Sequence, residues 1–155
     1  MLFSDFRFPA IVGRLGKYIP SVVASAPLLV MLELARRREW LLAPESLYGK
    51  SFLMTIEDLG LELRFFCDQG KFKPQLSRQG QDKPADVRLS ALSVDFFQLA
   101  SGMEDADTLF FRRRLKMEGD TELGVAVKYW LDASERPAWL QALASKLATT
   151  NAEHA

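Results

Sequence analysis

The chain predicts an α+β fold in which a mostly antiparallel sheet is covered on one side by helices. Three observations carry that expectation. Apolar residues recur at helical spacing over the first 42 residues, alternate from Ser51 to Lys73, and return to helical spacing after Thr121. The turns Asp58-Leu59-Gly60 and Asp68-Gln69-Gly70 separate the alternating runs closely enough for an antiparallel meander. Finally, 155 residues with 48% hydrophobic and 26% charged side chains have the size and composition of one globular domain.

Element by element, Pro9 suits the first position of a helix, and Ile11, Val12, Leu15, Tyr18 and Ile19 follow at helical spacing until Pro20-Ser21 breaks it. A second helix is expected to begin near Ser25 to Pro27, carrying Leu28, Leu29, Met31, Leu32 and Ala35. Arg36-Arg37-Arg38 would close it, where basic charge complements the helix dipole. Ala43-Pro44-Glu45-Ser46 reads as a connector. Phe52, Met54 and Ile56 then alternate along Ser51 to Glu57, and Leu61, Leu63, Phe65 and Cys67 along the next strand, leading into Lys71-Phe72-Lys73. Gln75 to Pro84 is polar and loop-like, and Asp86 to Ser90 is a short strand. Ser93 is placed as the N-cap of a helix from Val94 to about Ser101. Glu104-Asp105-Ala106-Asp107 reads as an acidic loop. Phe111, Arg113, Leu115 and Met117 alternate with Arg112, Arg114, Lys116 and Glu118, the pattern of a last strand. Gly119-Asp120 turns into a helix over Thr121 to Ala133, and a final helix begins at Pro137 with Trp139, Leu140, Leu143 and Leu147 on one face.

Bulk chemistry narrows the function. Twenty basic residues balance twenty acidic ones, so the chain lacks the cationic excess of phosphate-gripping domains. The single cysteine, Cys67, sits in strand phase and reads as an inert buried thiol in a reducing compartment. The apolar run Val22 to Leu32 is 11 residues long and interrupted by Pro27, well short of the ~20 residues of a spanning helix. Ala24-Ser25-Ala26 has the look of a signal-peptidase site, but Gly16 and Pro20 interrupt the apolar segment that should precede it.

No phosphate-binding glycine loop, dinucleotide turn or H-E-x-x-H pair is present. One Cys and one His, His154, supply neither a zinc site nor a nucleophilic triad. Arg112-Arg113-Arg114-Lys116 is the densest charge cluster, and it admits three readings: solvated strand residues, contacts to anionic lipid head groups, or contacts to nucleic acid. If the alternation holds, Arg113 points inward and needs a carboxylate or an anionic ligand. Eleven Phe include the doublets Phe65-Phe66, Phe96-Phe97 and Phe110-Phe111. Such rings fill a large aromatic core or line a pocket for an apolar molecule.

Pro84-Ala85-Asp86-Val87-Arg88-Leu89-Ser90, the helix Asp95-Phe96-Phe97-Gln98-Leu99-Ala100, and Asp107-Thr108-Leu109-Phe110-Phe111 through Leu115-Lys116-Met117-Glu118-Gly119-Asp120-Thr121-Glu122-Leu123-Gly124 resemble the sterol carrier protein domain. The likeness covers Leu47 to Ala133. More narrowly, with the helical leader through Trp40, the chain looks like the UbiT-type subfamily of bacterial ubiquinone-biosynthesis accessory factors. The resemblance implies a five-stranded sheet whose helices enclose a lipid tunnel. It implies an N-terminal helical extension over 1–42, a sterol-carrier-type lipid-binding domain over 43–133, and a C-terminal amphipathic helix and tail over 134–155. It also implies a carrier or presenter of a polyprenyl quinone precursor or phospholipid for oxygen-independent ubiquinone synthesis, working beside UbiU- and UbiV-type proteins. No catalytic residue, cofactor or metal ligand comes with it.

Strand and helix phase nominate Leu63, Phe65, Phe97, Leu115, Met117 and Val127 as the lining. Leu28, Leu29, Arg36, Arg37 and Arg38 are nominated for peripheral membrane contact. The terminal Asn151-Ala152-Glu153-His154-Ala155 is no peroxisomal address, which favours the bacterial cytoplasm. Two rivals stay open: a scaffold subunit docking through Trp139 and Leu143, and a small hydrolase or isomerase built on a buried carboxylate.

Overall fold

The computed structural model describes residues 7–40, 42–75, 84–133 and 138–153. Its helices are α1 (Ala10–Gly16), α2 (Ser21–Arg37), α3 (Ser93–Ser101), α4 (Ala106–Phe111), α5 (Thr121–Ala133) and α6 (Ala138–Glu153), with a 3-10 turn at Glu45–Leu47. The strands are β1 (Ser51–Ile56), β2 (Leu61–Asp68), β3 (Lys71–Pro74), β4 (Val87–Ala91) and β5 (Lys116–Gly119). They form one sheet in the order β3-β2-β1-β4-β5. The β1–β2, β2–β3 and β4–β5 pairs are antiparallel and β1–β4 is parallel, so the fold is the expected mostly antiparallel α+β sheet. A parallel neighbour requires a crossover, and the connection from β1 to β4 here contains the strands β2 and β3. Asp86 fixes its register, its carboxylate accepting from the Ser51 N–H at 2.8 Å and from Ser51 Oγ at 3.1 Å.

Because successive strand residues point to opposite faces, the register aligns apolar side chains in rows. Phe65, Phe52 and Val87 share one row, and Leu63, Met54, Leu89 and Met117 the next. All seven belong to or pack on a single core with Leu47, Leu99, Ala106, Leu109, Leu115, Leu123 and Val127 from the covering elements. Cys67 is fully buried there, and burial pushes its thiol pKa up.

The motif that ends the last strand has a local explanation. Gly119 has φ +109°, and a Cβ there would collide with the Asp86 carbonyl. Asp120 then donates its N–H to that same carbonyl and accepts from the Leu123 N–H, capping α5.

Four boundaries differ from expectation. Pro9 is the N-cap of α1 and not its first residue, and the helix closes at Gly16. α2 starts at Ser21, four residues early, and takes Pro27 inside it. Ser93 opens α3 instead of capping it, because its hydroxyl donates to Asp58 at 2.6 Å. The largest difference is at 106–115. Asp105 accepts from the Thr108 N–H and caps α4, so the acidic loop and the start of the supposed strand are a helix. The chain leaves it through Arg113 at φ +58°, and β5 begins only at Lys116. The doublet Phe110-Phe111 is therefore helical. Pro137, His154 and residues 76–83 of the expected polar loop lie outside the described residues.

Candidate functional site

The apolar side of the sheet, with the helices over it, is the candidate site. At its β2–β3 end, Phe52 stacks on Phe65 with ring centroids 5.5 Å apart, and Phe72 meets both edge-on at 6.3 and 5.8 Å. Trp130 of α5 stacks on Phe72 at 5.3 Å. Among the described residues its buried indole N–H has no acceptor. Such a donor is costly to leave unmade, by about 1–3 kcal/mol.

Of the nominated lining, Leu63, Phe65, Leu115 and Val127 are buried in the common core and Met117 packs on it. Leu115 gets there from the turn that follows α4, not from a strand. Phe97 is half-buried and outside that core, while its neighbour Phe96 packs on it. The doublet was legible and its helical phase was not. Phe72 and Trp130 were missed. Phe72 follows strand phase opposite Cys67, and Trp130 continues the Leu123–Val127 spacing along α5.

The inward arginine is Arg114, and Arg113 is exposed. Arg114 Nε meets Asp95 Oδ1 at 3.0 Å, and the Asp95 side chain is only 3% exposed. Arg112 meets Glu104 at 3.4 Å in solvent, and Lys116 meets Glu57 at 3.0 Å. Arg112, Arg114 and Lys116 are thus paired with three separate carboxylates, one on α3 and two in turns. The buried carboxylate that an enzyme reading requires exists in Asp95, but it is joined to an arginine.

The nominated membrane residues are placed differently. Leu28 and Leu29 pack against the core, because α2 lies along β2 and β3, so they are not turned to a bilayer. The other side of α2 exposes Val23, Val30, Met31 and Leu34. Arg36 and Arg37 both bind Glu33, Arg36 most strongly, holding that carboxyl down to about 2. Arg38 lies over the Trp40 ring at 5.9 Å.

A concavity lies between α1 and the β1–β2 turn. It is an open groove of about 460 Å³ whose lining includes Arg7, Arg14, Lys17, Glu57 and Asp58. Asp58 joins three elements here. It accepts from the Ser93 N–H at 2.8 Å, the Ser93 hydroxyl at 2.6 Å and the Phe8 N–H at 3.2 Å. Burial alone would raise its pKa, but these donors together hold it below the ordinary aspartate value. Among the described residues, no group of three or more His, Cys, Asp or Glu is placed to hold a metal ion.

Comparison with known proteins agrees with this geometry. The family described as the SCP-2 sterol transfer family matches residues 31–132. The ubiquinone biosynthesis accessory factor UbiT of Escherichia coli strain K12 is 41% identical over 91 residues, which is 59% of this chain and 49% of that protein. UbiT of Escherichia coli O157:H7 matches to the same extent. The chain thus spans about half the length of the curated relatives it matches. Among solved structures, a UbiJ-SCP2 ubiquinone synthesis protein superposes with a TM-score of 0.51 at 16% identity, covering 70% of this chain and 97% of that one. At that identity the likeness is one of fold.

Proposed function

Because this chain belongs to the SCP-2 sterol transfer family, we propose that it is a non-catalytic lipid-binding accessory factor of oxygen-independent ubiquinone biosynthesis. It would hold or present a polyprenyl quinone precursor or a phospholipid between the sheet and its helices. The observation that carries this reading is the apolar row structure of the sheet, covered by α2 and α5 and joined in one core by residues of α3 and α4, ending in the Phe52, Phe65, Phe72 and Trp130 aromatic group. An isoprenoid tail suits the aliphatic rows, and a head-group oxygen suits the buried Trp130 N–H. The name of the UbiT relatives supports the pathway, and the UbiU- and UbiV-type proteins of the bacterial cytoplasm are the proposed partners. Asp95 is read as structural, since its oxygen is engaged by Arg114.

The test is native mass spectrometry and solvent extraction of freshly purified protein. A stoichiometric quinone precursor or phospholipid is the expected result. A lipid-free protein that also takes up none when incubated with either class refutes carriage. One observation favours a second reading, a scaffold that binds pathway proteins without carrying lipid. Trp139, Leu143 and Leu147 stand exposed at i, i+4 and i+8 on α6, the spacing of a helix-docking face.

A further inference from the structure

Trp130 carries a hydrogen-bond donor with no acceptor among the described residues. The residue is half-buried in the last turn of α5, yet its Nε1–H is fully buried. The donor therefore faces inward while part of the indole stays within reach of solvent. One indole face lies on Phe72 at 5.3 Å, with 23° between the ring planes. An indole N–H lies in the plane of its ring, so a partner for it sits at the ring's edge, beside the stack. Phe72 belongs to β3, an edge strand of the sheet, and α2 packs along that strand. The donor is set at the margin of the sheet, where an apolar molecule reaches it without crossing the core.

Its surroundings are apolar and uncharged. Phe72 lies against Phe52 and Phe65, and Cys67, its partner across the β2–β3 ladder, is fully buried. Lys71 and Lys73 flank Phe72 but project to the other face of the strand, and Lys73 is paired with Asp68 at 2.7 Å. On α5, Lys128 is held by Asp107 at 3.0 Å, and Asp132 accepts the Ala106 N–H at 2.7 Å. Arg114, the cation that reaches inward, is joined to Asp95. The buried polar side chains among the described residues are Ser25, Asp95, Gln98 and Ser101, and none is cationic. A phosphate brought to Trp130 would lose its hydration for one neutral N–H, which leaves the charge uncompensated. A carbonyl or phenol oxygen loses far less on burial, and a single donor satisfies it. The rings of Phe52, Phe65 and Phe72 in turn favour a head group that is itself a flat ring.

Resting on the lipid-carrier reading, we infer that Trp130 is the residue by which the site selects and orients its cargo. Its Nε1–H donates to an oxygen of a neutral, planar ring, and that ring lies at the Phe72 edge with its apolar tail along the Leu63, Met54 and Leu89 row. The choice is made at one atom: an oxygenated ring lipid satisfies the donor, a hydrocarbon leaves it unmade, and a phospholipid phosphate is too costly to bring there.

Isothermal titration calorimetry of the purified, delipidated full chain tests this with geranylbenzoquinone, geranylbenzene and dihexanoylphosphatidylglycerol. The unaltered protein is expected to bind the quinone about tenfold more tightly than the hydrocarbon. Trp130→Phe keeps an aromatic ring beside Phe72 and removes the donor. Its quinone affinity should fall about tenfold, to that of geranylbenzene, while the affinities for geranylbenzene and the phospholipid stay as they are in the unaltered protein. Magnetic resonance of the indole N–H groups in the unaltered protein gives a reading that does not depend on how the variant folds. One of the three tryptophan signals should move downfield with the quinone and not with geranylbenzene, and it should persist in Trp40→Phe and in Trp139→Phe. Equal affinity for quinone and hydrocarbon, undiminished quinone binding by Trp130→Phe, a parallel loss for the phospholipid, or indole signals that stay in place would each overturn the role of Trp130 and leave carriage intact. If no probe binds the unaltered chain, carriage itself fails and the role of Trp130 falls with it.

Discussion

Leu115→Ala and Phe111→Ala together test the placement of the covering turn. An extended segment from Phe111 to Met117 would bury Phe111, Leu115 and Met117 alike. In the folded protein Leu115 is 2% exposed within the core, and Phe111 at the end of α4 is 76% exposed. Trimming a buried leucine removes its transfer free energy and leaves a cavity, a loss of about 2–5 kcal/mol. The Arg114 and Leu115 N–H groups both bond the Leu109 carbonyl, at 2.8 and 3.1 Å, so the turn is held by its backbone and collapses poorly onto a void. A loss of about 3 kcal/mol is therefore expected. For a domain of this length it corresponds to about 6–12 °C in Tm. Phe111→Ala removes a ring that packs edge-on against Phe110 at 6.1 Å, and a surface change of this kind stays within about 0.5 kcal/mol. Thermal unfolding followed by circular dichroism reads both, with lipid retention measured alongside. Equal losses for the two variants, or a loss below about 1 kcal/mol for Leu115→Ala, would refute the helix-and-turn placement and the inward position of Leu115 with it.

Acid should release the Asp58 junction before the core. The folded pKa of Asp58 is depressed, so its contribution is complete above the unfolded value near 3.9 and is lost as pH falls through the lower folded value. Hydrogen exchange at the Phe8 and Ser93 amides should accelerate in that window, and Asp58→Asn should abolish the pH dependence; unchanged protection contradicts the clamp. Arg114→Ala should cost about 3–5 kcal/mol, because it strands a buried carboxylate. Arg112→Ala should cost at most about 1 kcal/mol, its pair with Glu104 being solvated. Urea titrations that rank these two the other way would reverse the assignment of the inward arginine.

The alternating run of β2 was legible because Leu63, Phe65 and Cys67 are buried while the residues between them are more open, and the bounds of α5 follow from the same contrast at helical period. The segment 106–115 was not, because Phe111, Arg113, Leu115 and Met117 match period 2 only by coincidence. Its true signal was local, in Asp105 as an N-cap three residues before Thr108. The start of α2 was misjudged for another reason. Proline favours a first turn, but Ser21 already has a tertiary role, its hydroxyl accepting the Arg64 N–H at 2.9 Å beyond the end of β3. Core membership of the nominated side chains was legible in the strands and less so in the helices. Strand phase finds Leu63 and Phe65, while the choice between Phe96 and Phe97 depends on how α3 is rotated over the sheet, which Ser93's bond to Asp58 sets from a distant turn.

The parallel seam between β1 and β4 has a consequence for how the chain is made. β1 finds β2 at once, across a short turn, but its other edge waits for a segment beginning at Asp86, 35 residues after Ser51. At about 5–20 residues per second, that interval lasts on the order of 2–7 s during synthesis. Throughout it the strand carrying Phe52, Met54 and Ile56 has one edge of unpaired amides and carbonyls, the arrangement most open to pairing with a foreign strand. The nascent chain is thus most vulnerable at what becomes the centre of its sheet, and sealing that seam is the step on which an orderly birth of the protein depends.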